Sequence, residues 1–175
     1  MNSSDKPKWN KYTNISDHAK WMPTMIDLIE KKDQNRNQRK YRRDSYHGKI
    51  FNVDLGIGNL GSEMNKLRPC LVISADHLNQ GETVVVLPLS TTIKTEVRDG
   101  RVCPKYNNHY ILHKENYPRK GKIKGLKETS CVKCEDIKCI DKVRIRELLA
   151  VVDTNDLNNI YIRLANTFGF QAKTK

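Results

Sequence analysis

The segment that most directly suggests chemistry is residues 68–74, in which an arginine and a proline precede a short apolar run. Pro69 restricts Arg68 to an extended backbone, and the β-branched run after it predicts a core strand. A guanidinium with so rigid a base can bind a phosphate through two parallel hydrogen bonds and stabilise charge that grows on it. A second interpretation stays open, in which Arg68 forms a structural ion pair with Glu63 or Asp76.

A second candidate is the hydroxyl pair Ser90 and Thr91, which follows the apolar run 84–89. Pro88 predicts that this run lies at the edge of a sheet or near a strand end. Hydroxyls at the end of a strand can bond a phosphate oxygen or a ribose hydroxyl. Serine and threonine at such positions also commonly cap turns, so this signal is weaker than the one at Arg68.

The cysteines are a third candidate, because Cys131 and Cys134 form a Cys-x-x-Cys pair that zinc sites use. A strand directs residues three apart to opposite faces, and Cys139 completes no second pair. We therefore interpret these thiols as small buried groups that fill gaps in the core, and we expect no metal and no cofactor. The sequence also contains no P-loop, no dinucleotide fingerprint and no set of acidic ligands typical of a metal-dependent nuclease.

The elements that must position these residues are short strands followed by one helix. Strands are predicted over 49–56, 68–74 and 83–90 and near 130–141, and the Asp-Gly pair within 97–102 predicts a hairpin. Residues 146–153 are predicted to form another strand or a helix–strand junction. Apolar residues at helical spacing predict a C-terminal helix over 154–168, capped by Thr154 or Asn155 and ended by Gly169. These elements predict an α+β fold, a compact barrel-like domain that begins near residue 46. The apolar face of the C-terminal helix comprises Leu157, Ile160, Tyr161, Leu164 and Phe168.

Residues 1–46 differ from the rest and predict a basic N-terminal helical extension. Trp21, Met25, Leu28 and Ile29 recur at helical spacing, which predicts an amphipathic helix around 23–40 with Pro23 in its first turn. The basic stretch that follows is either a solvated linker helix or an arm that faces nucleic acid. The predicted domains are thus 1–46 and 47–175, the latter with a long basic insertion at about 92–125.

The overall charge points to a polyanionic partner. The chain has a net charge of +12 and a pI of about 9.5, and lysines and arginines that neutralise phosphates release condensed counterions. We favour nucleic acid, with an acidic protein partner or a merely solvated basic surface as alternatives. The odd cysteine count and the absence of an apolar signal segment predict a cytoplasmic protein with reduced thiols. Because no apolar run is long enough to span a bilayer, we expect no membrane partner.

The order of these motifs resembles the MazF/PemK family of toxin endoribonucleases from bacterial type II toxin–antitoxin modules. The similarity begins with GKIFNVDLG at 48–56 and continues through GSE and RPCLVIS within 61–74. It then includes VVVLPLST at 84–91 and SCVKCEDIKCIDKVRI at 130–145, and it extends in all over about 48–168.

This resemblance implies a small SH3-like β-barrel with a C-terminal helix, forming a homodimer that holds single-stranded RNA in a groove and is paired with a cognate antitoxin protein. It implies metal-independent cleavage, in which the ribose 2′-OH attacks the adjacent phosphate and leaves a 2′,3′-cyclic phosphate and a 5′-OH end. The arginine of the family's pattern falls on Arg68, and its hydroxyl residue falls on Ser90, where threonine is more usual. Ser62 falls in a loop that covers the site. The resemblance further implies substrate contacts by Ser62, Glu63, Thr91, Asp136 and Lys138, and Glu135 also lies where relatives read or position substrate.

Two alternatives belong to other functional classes: a non-enzymatic inhibitor of DNA gyrase like the related CcdB toxins, or a catalytically inactive barrel that binds nucleic acid. Arg68 together with a hydroxyl at position 90 favours the nuclease. The insertion at 92–125 is longer than the usual loop of the family, and its basic residues are interleaved with Tyr106, Tyr110 and Tyr117. We expect it to lengthen the RNA groove, with tyrosines as stacking faces for unpaired bases.

Overall fold

A computed structural model of the chain describes residues 11–37, 45–57 and 62–170. The elements in chain order are helix α1 (Lys11–Asn37), strands β1 (Lys49–Asp54), β2 (Leu67–Val72), β3 (Thr83–Ser90), β4 (Thr95–Arg98), β5 (Arg101–Pro104), β6 (His109–Leu112), β7 (Ser130–Lys133), β8 (Lys138–Asp141) and β9 (Ile145–Val151), and helix α2 (Thr154–Thr167). No helix among these described residues has both the length and the apolar character that crossing a membrane requires.

The main sheet has seven antiparallel strands. Six of them follow the order β6-β7-β3-β2-β1-β9. The seventh, β8, pairs with the first half of β3, and β7 pairs with the end of β3 on the same side. Strands β4 and β5 form a separate hairpin. The predicted α+β class is confirmed, and the region near 130–141 proves to be two strands that both pair with β3.

Alternation along the strands builds two separate cores. Leu71, Leu87 and Leu89 point to the first core, where Ile160 of α2 is fully buried. The residues that alternate with them along β2 and β3, such as Cys70, Val72 and Val86, point to the opposite face of the sheet and belong to the second core. This second core contains Val53, Leu55, Met64, Cys70, Val72, Val84, Val86 and Ile140.

The prediction that Pro88 marks an edge or a strand end is corrected by the structure, since Pro88 is fully buried in the central strand. Strand β3 pairs with β8 as far as Val86 and with β7 from Leu89 onward. Pro88 therefore lies where one neighbouring strand gives way to the next. A residue without an N–H is tolerated at such a gap because no ladder bond is lost there.

The predicted start of the N-terminal helix is also wrong, because α1 begins at Lys11 and contains Pro23 in its interior. Residues 38–40, where the helix was expected to end, lie outside the described residues. An interior proline costs a helix one backbone hydrogen bond, and α1 is held by contacts on both sides of Pro23. The Trp21 indole donates to Asp54 Oδ1 at 3.2 Å, and Leu28 is buried.

The predicted apolar face of this helix is only half correct. Trp21 and Leu28 face the barrel, whereas Met25 and Ile29 are 39% and 51% exposed. Positions seven apart share one helix face, and the barrel contacts a narrow stripe through Trp21 and Leu28, which leaves the neighbouring positions to solvent.

Helix α2 is capped one residue earlier than predicted. Asp153 Oδ1 accepts the N–H groups of Asn155 and Asp156, each at 2.9 Å, so Asp153 is the N-cap. Its carboxylate satisfies two backbone donors that the first helical turn leaves without partners. Gly169 ends the helix with φ of +73°, as predicted, but Phe168 is mostly exposed.

The insertion is more ordered than a loop, because it adds a strand to the main sheet. The predicted hairpin is present, with Asp99 and Gly100 both at positive φ as a two-residue turn requires. Strand β6 then pairs with β7. The segment returns to the barrel at Gly125, whose N–H donates to the Leu149 carbonyl at 2.8 Å.

Gly125→Ala should destabilise the fold where the insertion rejoins the barrel. Gly125 has φ of +78°, and an added Cβ would lie 2.6 Å from the backbone nitrogen of Arg119. The left-handed conformation alone costs a non-glycine residue roughly 1–2 kcal/mol, and displacement of the backbone adds to this. We expect a loss of about 2 kcal/mol or more in urea unfolding. The control is Gly81→Ala, where no atom lies within 4 Å of the added Cβ, and an equal loss there would contradict this account.

Asp76 should make stability depend on pH below about 4. Partial burial acts to raise the pKa of its carboxyl, but the backbone N–H of His47 and further hydrogen bonds, including one from Tyr46, outweigh burial and lower it to about 2. A carboxyl whose pKa is lowered by folding stabilises the fold above its ordinary pKa and loses that effect as the pH falls to its folded value. We expect the difference in unfolding free energy between the wild type and Asp76→Asn to shrink between pH 5 and pH 2. A constant difference across this range would refute the assignment.

Candidate active site

Arg68 and Ser90 come from adjacent strands and project from the same face of the sheet. Strands β2 and β3 pair with Cys70 opposite Pro88 and Val72 opposite Val86. Extending this register by two residues sets Arg68 opposite Ser90. Opposed residues of an antiparallel pair project to the same side, so both side chains extend from the face that carries the second core.

Arg68 is partly exposed, and the Arg68 Nε donates to the Asn65 carbonyl at 2.8 Å. This bond uses one of the five N–H donors of the guanidinium and fixes the side chain against the preceding loop. The alternative ion pair with Asp76 is not formed, because one Asp76 oxygen instead accepts the backbone N–H groups of Tyr46 and His47 at 2.8 and 3.0 Å. The bond to Asn65 holds Arg68 against the backbone of its own loop.

Ser90 is buried at the end of β3, and its side chain is part of a turn. Its Oγ accepts the backbone N–H of Thr92 at 3.2 Å. This bond uses an acceptor lone pair, and a hydroxyl also has a hydrogen to donate. The turn fixes the orientation of Ser90, and Thr91 between these residues is exposed.

Asp136 links the loop before Arg68 to strand β8, which pairs with β3. Asp136 Oδ2 accepts the Met64 N–H at 2.9 Å, and Asp136 Oδ1 lies 3.2 Å from Lys138 Nζ. Lys138 stands opposite Val86 on β8, so it shares the sheet face of Arg68. The Met64 side chain is buried in the second core, and loop 62–66 is thereby attached at both its backbone and its side chain.

Electrostatic interactions place these charged groups around one thiol. Burial raises the pKa of the Cys70 thiol far above its usual value, while Arg68 and Lys138 act to lower it and Asp136 to raise it. Arg68, Lys138 and Asp136 are therefore close enough to act on the charge of Cys70, and the two cations outnumber the one carboxylate. This arrangement suits an anionic ligand.

The structure brings together residues that the sequence places far apart. Arg68, Ser90, Asp136 and Lys138 come from three segments and meet at one end of the second core, while Ser62 and Glu63 are exposed in the attached loop. Sequence reasoning missed Met64, although an apolar residue within a polar loop was a signal for it.

The cysteines fit a packing role in part. Burial raises the pKa of Cys131 to about 11 and that of Cys134 to about 12, which disfavours the thiolate that binds metals. Cys139 is exposed. Within residues 11–37, 45–57 and 62–170, no group of three or more His, Cys, Asp or Glu is arranged to hold a metal ion.

A model of the PemK-like, MazF-like toxin family of type II toxin–antitoxin systems matches residues 46–168. The chain belongs to this family. Helix α1 lies outside the matched region, whereas Arg68, Ser90 and the attached loop lie within it. No curated protein matches the chain.

Solved structures of MazF toxins have the same fold. The toxin MazF-mt6 of Mycobacterium tuberculosis is 14% identical with a TM-score of 0.51, over 71% of this chain and 99% of that one. MazF from Deinococcus radiodurans is 19% identical with a TM-score of 0.52, over 70% and 94%. A mycobacterial endoribonuclease in complex with its cognate antitoxin is 19% identical with a TM-score of 0.51, over 74% and 99%. The predicted small toxin barrel with a C-terminal helix is thus confirmed.

Asp136→Ala should release the loop that precedes Arg68. A hydrogen bond to a charged acceptor contributes about 1.5–3 kcal/mol, so we expect the Met64 amide to exchange with solvent about tenfold faster or more. Amide hydrogen exchange followed by NMR measures this. Lys138→Ala is the matched control, because it removes the ion pair but keeps the acceptor of the Met64 N–H. Equal exchange rates at Met64 in both variants would contradict the attachment.

Proposed function

We propose that this MazF-like toxin is a sequence-specific, metal-independent endoribonuclease that cleaves single-stranded RNA, including mRNA. The ribose 2′-oxygen forms a bond to the adjacent phosphorus while the bond to the 5′-oxygen breaks. The 2′-hydroxyl loses its proton, and the departing 5′-oxygen gains one. The products are a 2′,3′-cyclic phosphate and a 5′-OH end.

The observation that carries this proposal is the register that sets Arg68 opposite Ser90 on one sheet face. Negative charge grows on the phosphate oxygens as the fifth bond to phosphorus forms. A fixed guanidinium stabilises that charge more than it stabilises the ground state, which is the condition for catalysis. Ser90 orients the phosphate through its hydroxyl hydrogen, because its oxygen is already held by Thr92.

The residues around this pair contact the substrate in our proposal. Lys138 attracts the RNA backbone, and Asp136 keeps Lys138 and loop 62–66 in place. Ser62, Glu63 and Thr91 are exposed at the rim, where hydroxyl and carboxylate groups can hydrogen-bond ribose or base edges. The net charge of +12 strengthens the attraction to a polyanion.

We further propose that the toxin acts as a homodimer in the cytoplasm and is neutralised by a cognate antitoxin protein. The family's description as one half of a type II toxin–antitoxin system supports the antitoxin, as does the related endoribonuclease solved with its own antitoxin. The strongly basic chain favours an antitoxin with an acidic contact surface.

Arg68→Ala should lower kcat for RNA cleavage by about 10²–10³-fold, the usual effect of removing one donor that stabilises a transition-state anion. Arg68→Lys should restore little, because an ammonium lacks the planar pair of donors. The measurement uses a long single-stranded RNA in EDTA, with the new ends identified chemically. Arg119→Ala is the matched control for kcat, because it removes an exposed arginine of the insertion, where a loss would weaken RNA binding and raise KM but leave the chemical step unchanged.

The same experiment separates the alternatives. Fragments with cyclic phosphate ends that disappear in Arg68→Ala support the nuclease. Intact RNA together with blocked gyrase supercoiling would identify a gyrase inhibitor instead. Full cleavage by Arg68→Ala would show that the catalytic group lies elsewhere.

A further inference from the structure

We propose that the insertion builds a pocket that takes one nucleobase beside the scissile phosphate and selects bases with an exocyclic amino group. This inference rests on the proposed nuclease function. The pocket is a cavity of about 270 Å³ between the hairpin base and strands β6 and β7. It is close to the lower end of the size range of small-molecule sites, about 300 Å³, which suits a single base. Its walls include Thr92, Lys94, Tyr106, His109, Lys133 and Glu135.

The sheet register places this pocket next to the candidate active site. His109 stands opposite Lys133, and extending the pairing of β3 with β7 by one residue sets Lys133 opposite Pro88. Lys133 and His109 therefore share the sheet face of Ser90 and lie one strand and two strands from β3, about 5 and 10 Å away respectively. A nucleotide adjoining the scissile phosphate spans such a distance.

A direct bond connects the two sites. Thr92 lines the pocket, and its backbone N–H donates to Ser90 Oγ at 3.2 Å. A phosphate held at Ser90 would consequently direct its neighbouring nucleotide past Thr92 into the cavity.

Tyr106 provides the stacking face. Tyr106 is 41% exposed, its ring makes an edge contact with His109 at 5.0 Å between ring centroids, and Lys94 Nζ lies 5.9 Å from the ring centre. Stacking of a base on an exposed aromatic ring typically contributes about 1–3 kcal/mol, and a nearby ammonium adds attraction for phosphate. The prediction of a stacking face is corrected for Tyr117, which is buried in the first core. Tyr110 lies outside this pocket, and its hydroxyl donates to Asp156 at 2.6 Å against α2.

Glu135 provides the selectivity. One of its oxygens lies 2.7 Å from His109 Nε2 and the other accepts the Asn108 amide at 2.9 Å, so the carboxylate is held rigidly. Its side chain is nevertheless 42% exposed, and each carboxylate oxygen can accept a second hydrogen bond. The amino groups of adenine, cytosine and guanine can donate there, as cytosine does to carboxylates in DNA complexes. Uracil would present carbonyl oxygens as well as its single N–H. The same carboxylate disfavours an acidic peptide as the occupant.

The test uses the full chain and a set of short RNAs with one cleavage site, in which each nucleotide beside the cut is varied through all four bases. We expect the wild type to disfavour uridine at one of these positions by about tenfold or more in kcat/KM. Tyr106→Ala should weaken binding by about 5- to 100-fold, measured on RNA made uncleavable by a 2′-O-methyl group at the cut, and Tyr106→Phe should recover most of that loss. Glu135→Gln should reduce the discrimination against uridine at the same position.

Val97→Ala is the control, because Val97 is an exposed hairpin residue outside this pocket. Thermal unfolding of every variant separates loss of binding from loss of fold. If the wild type cleaves at a specific site, and both Tyr106→Ala and Glu135→Gln keep its RNA affinity and its base preference, the pocket is refuted. The proposed nuclease function would not be affected by that result. A wild-type chain that cleaves no RNA would overturn the proposed function, and this inference with it.

Discussion

The position of β3 in the sheet is the constraint on which the rest of the structure depends. This strand pairs with β2 along one side and with β8 and then β7 along the other. A strand enclosed in this way must be apolar almost throughout, and Thr83 is the single exposed residue of its eight. The change of partner beside Pro88 divides the sheet into two ladders, which lets it curve around two cores.

The candidate site follows from that division. Strand β8 begins at Lys138, opposite Val86 and near the point where β3 starts to pair with β7, so the residues just before β8 face the start of β2 across β3. Asp136 and Lys138 thereby come close to Cys70 and Arg68 although they are about seventy positions away in the chain. The site is a product of strand exchange around β3, and its rigidity comes from a loop attached through Met64 and Asp136.

Two segments attach to this barrel, and both contact the surroundings of the site. Helix α1 lies outside the family match, but its Trp21 ring packs on Gly56, and its Asp17 lies 3.2 Å from Lys66 in the loop before Arg68. The insertion adds β6 to the sheet on the opposite side of β3. Helix α1 thus borders the site through the ion pair of Asp17 with Lys66, and the insertion borders it on the other side through the pairing of β6 with β7.

The sequence by itself determined the features that depend on neighbouring residues: the core strands, the Asp-Gly hairpin, the stop at Gly169 and the stiff base of Arg68. It also indicated the family, because the motifs appear in order along the chain. Local patterns misplaced the start of α1, the cap of α2 and Pro88, since each depends on contacts with distant residues such as Asp54 or on which strand lies alongside. Only the tertiary structure decided that Arg68, Ser90, Asp136 and Lys138 share one face, and that His109 and Glu135 lie beside them. The reason is physical: strand register is fixed by the packing of both cores at once, and a shift of one residue would turn every one of these side chains to the other face.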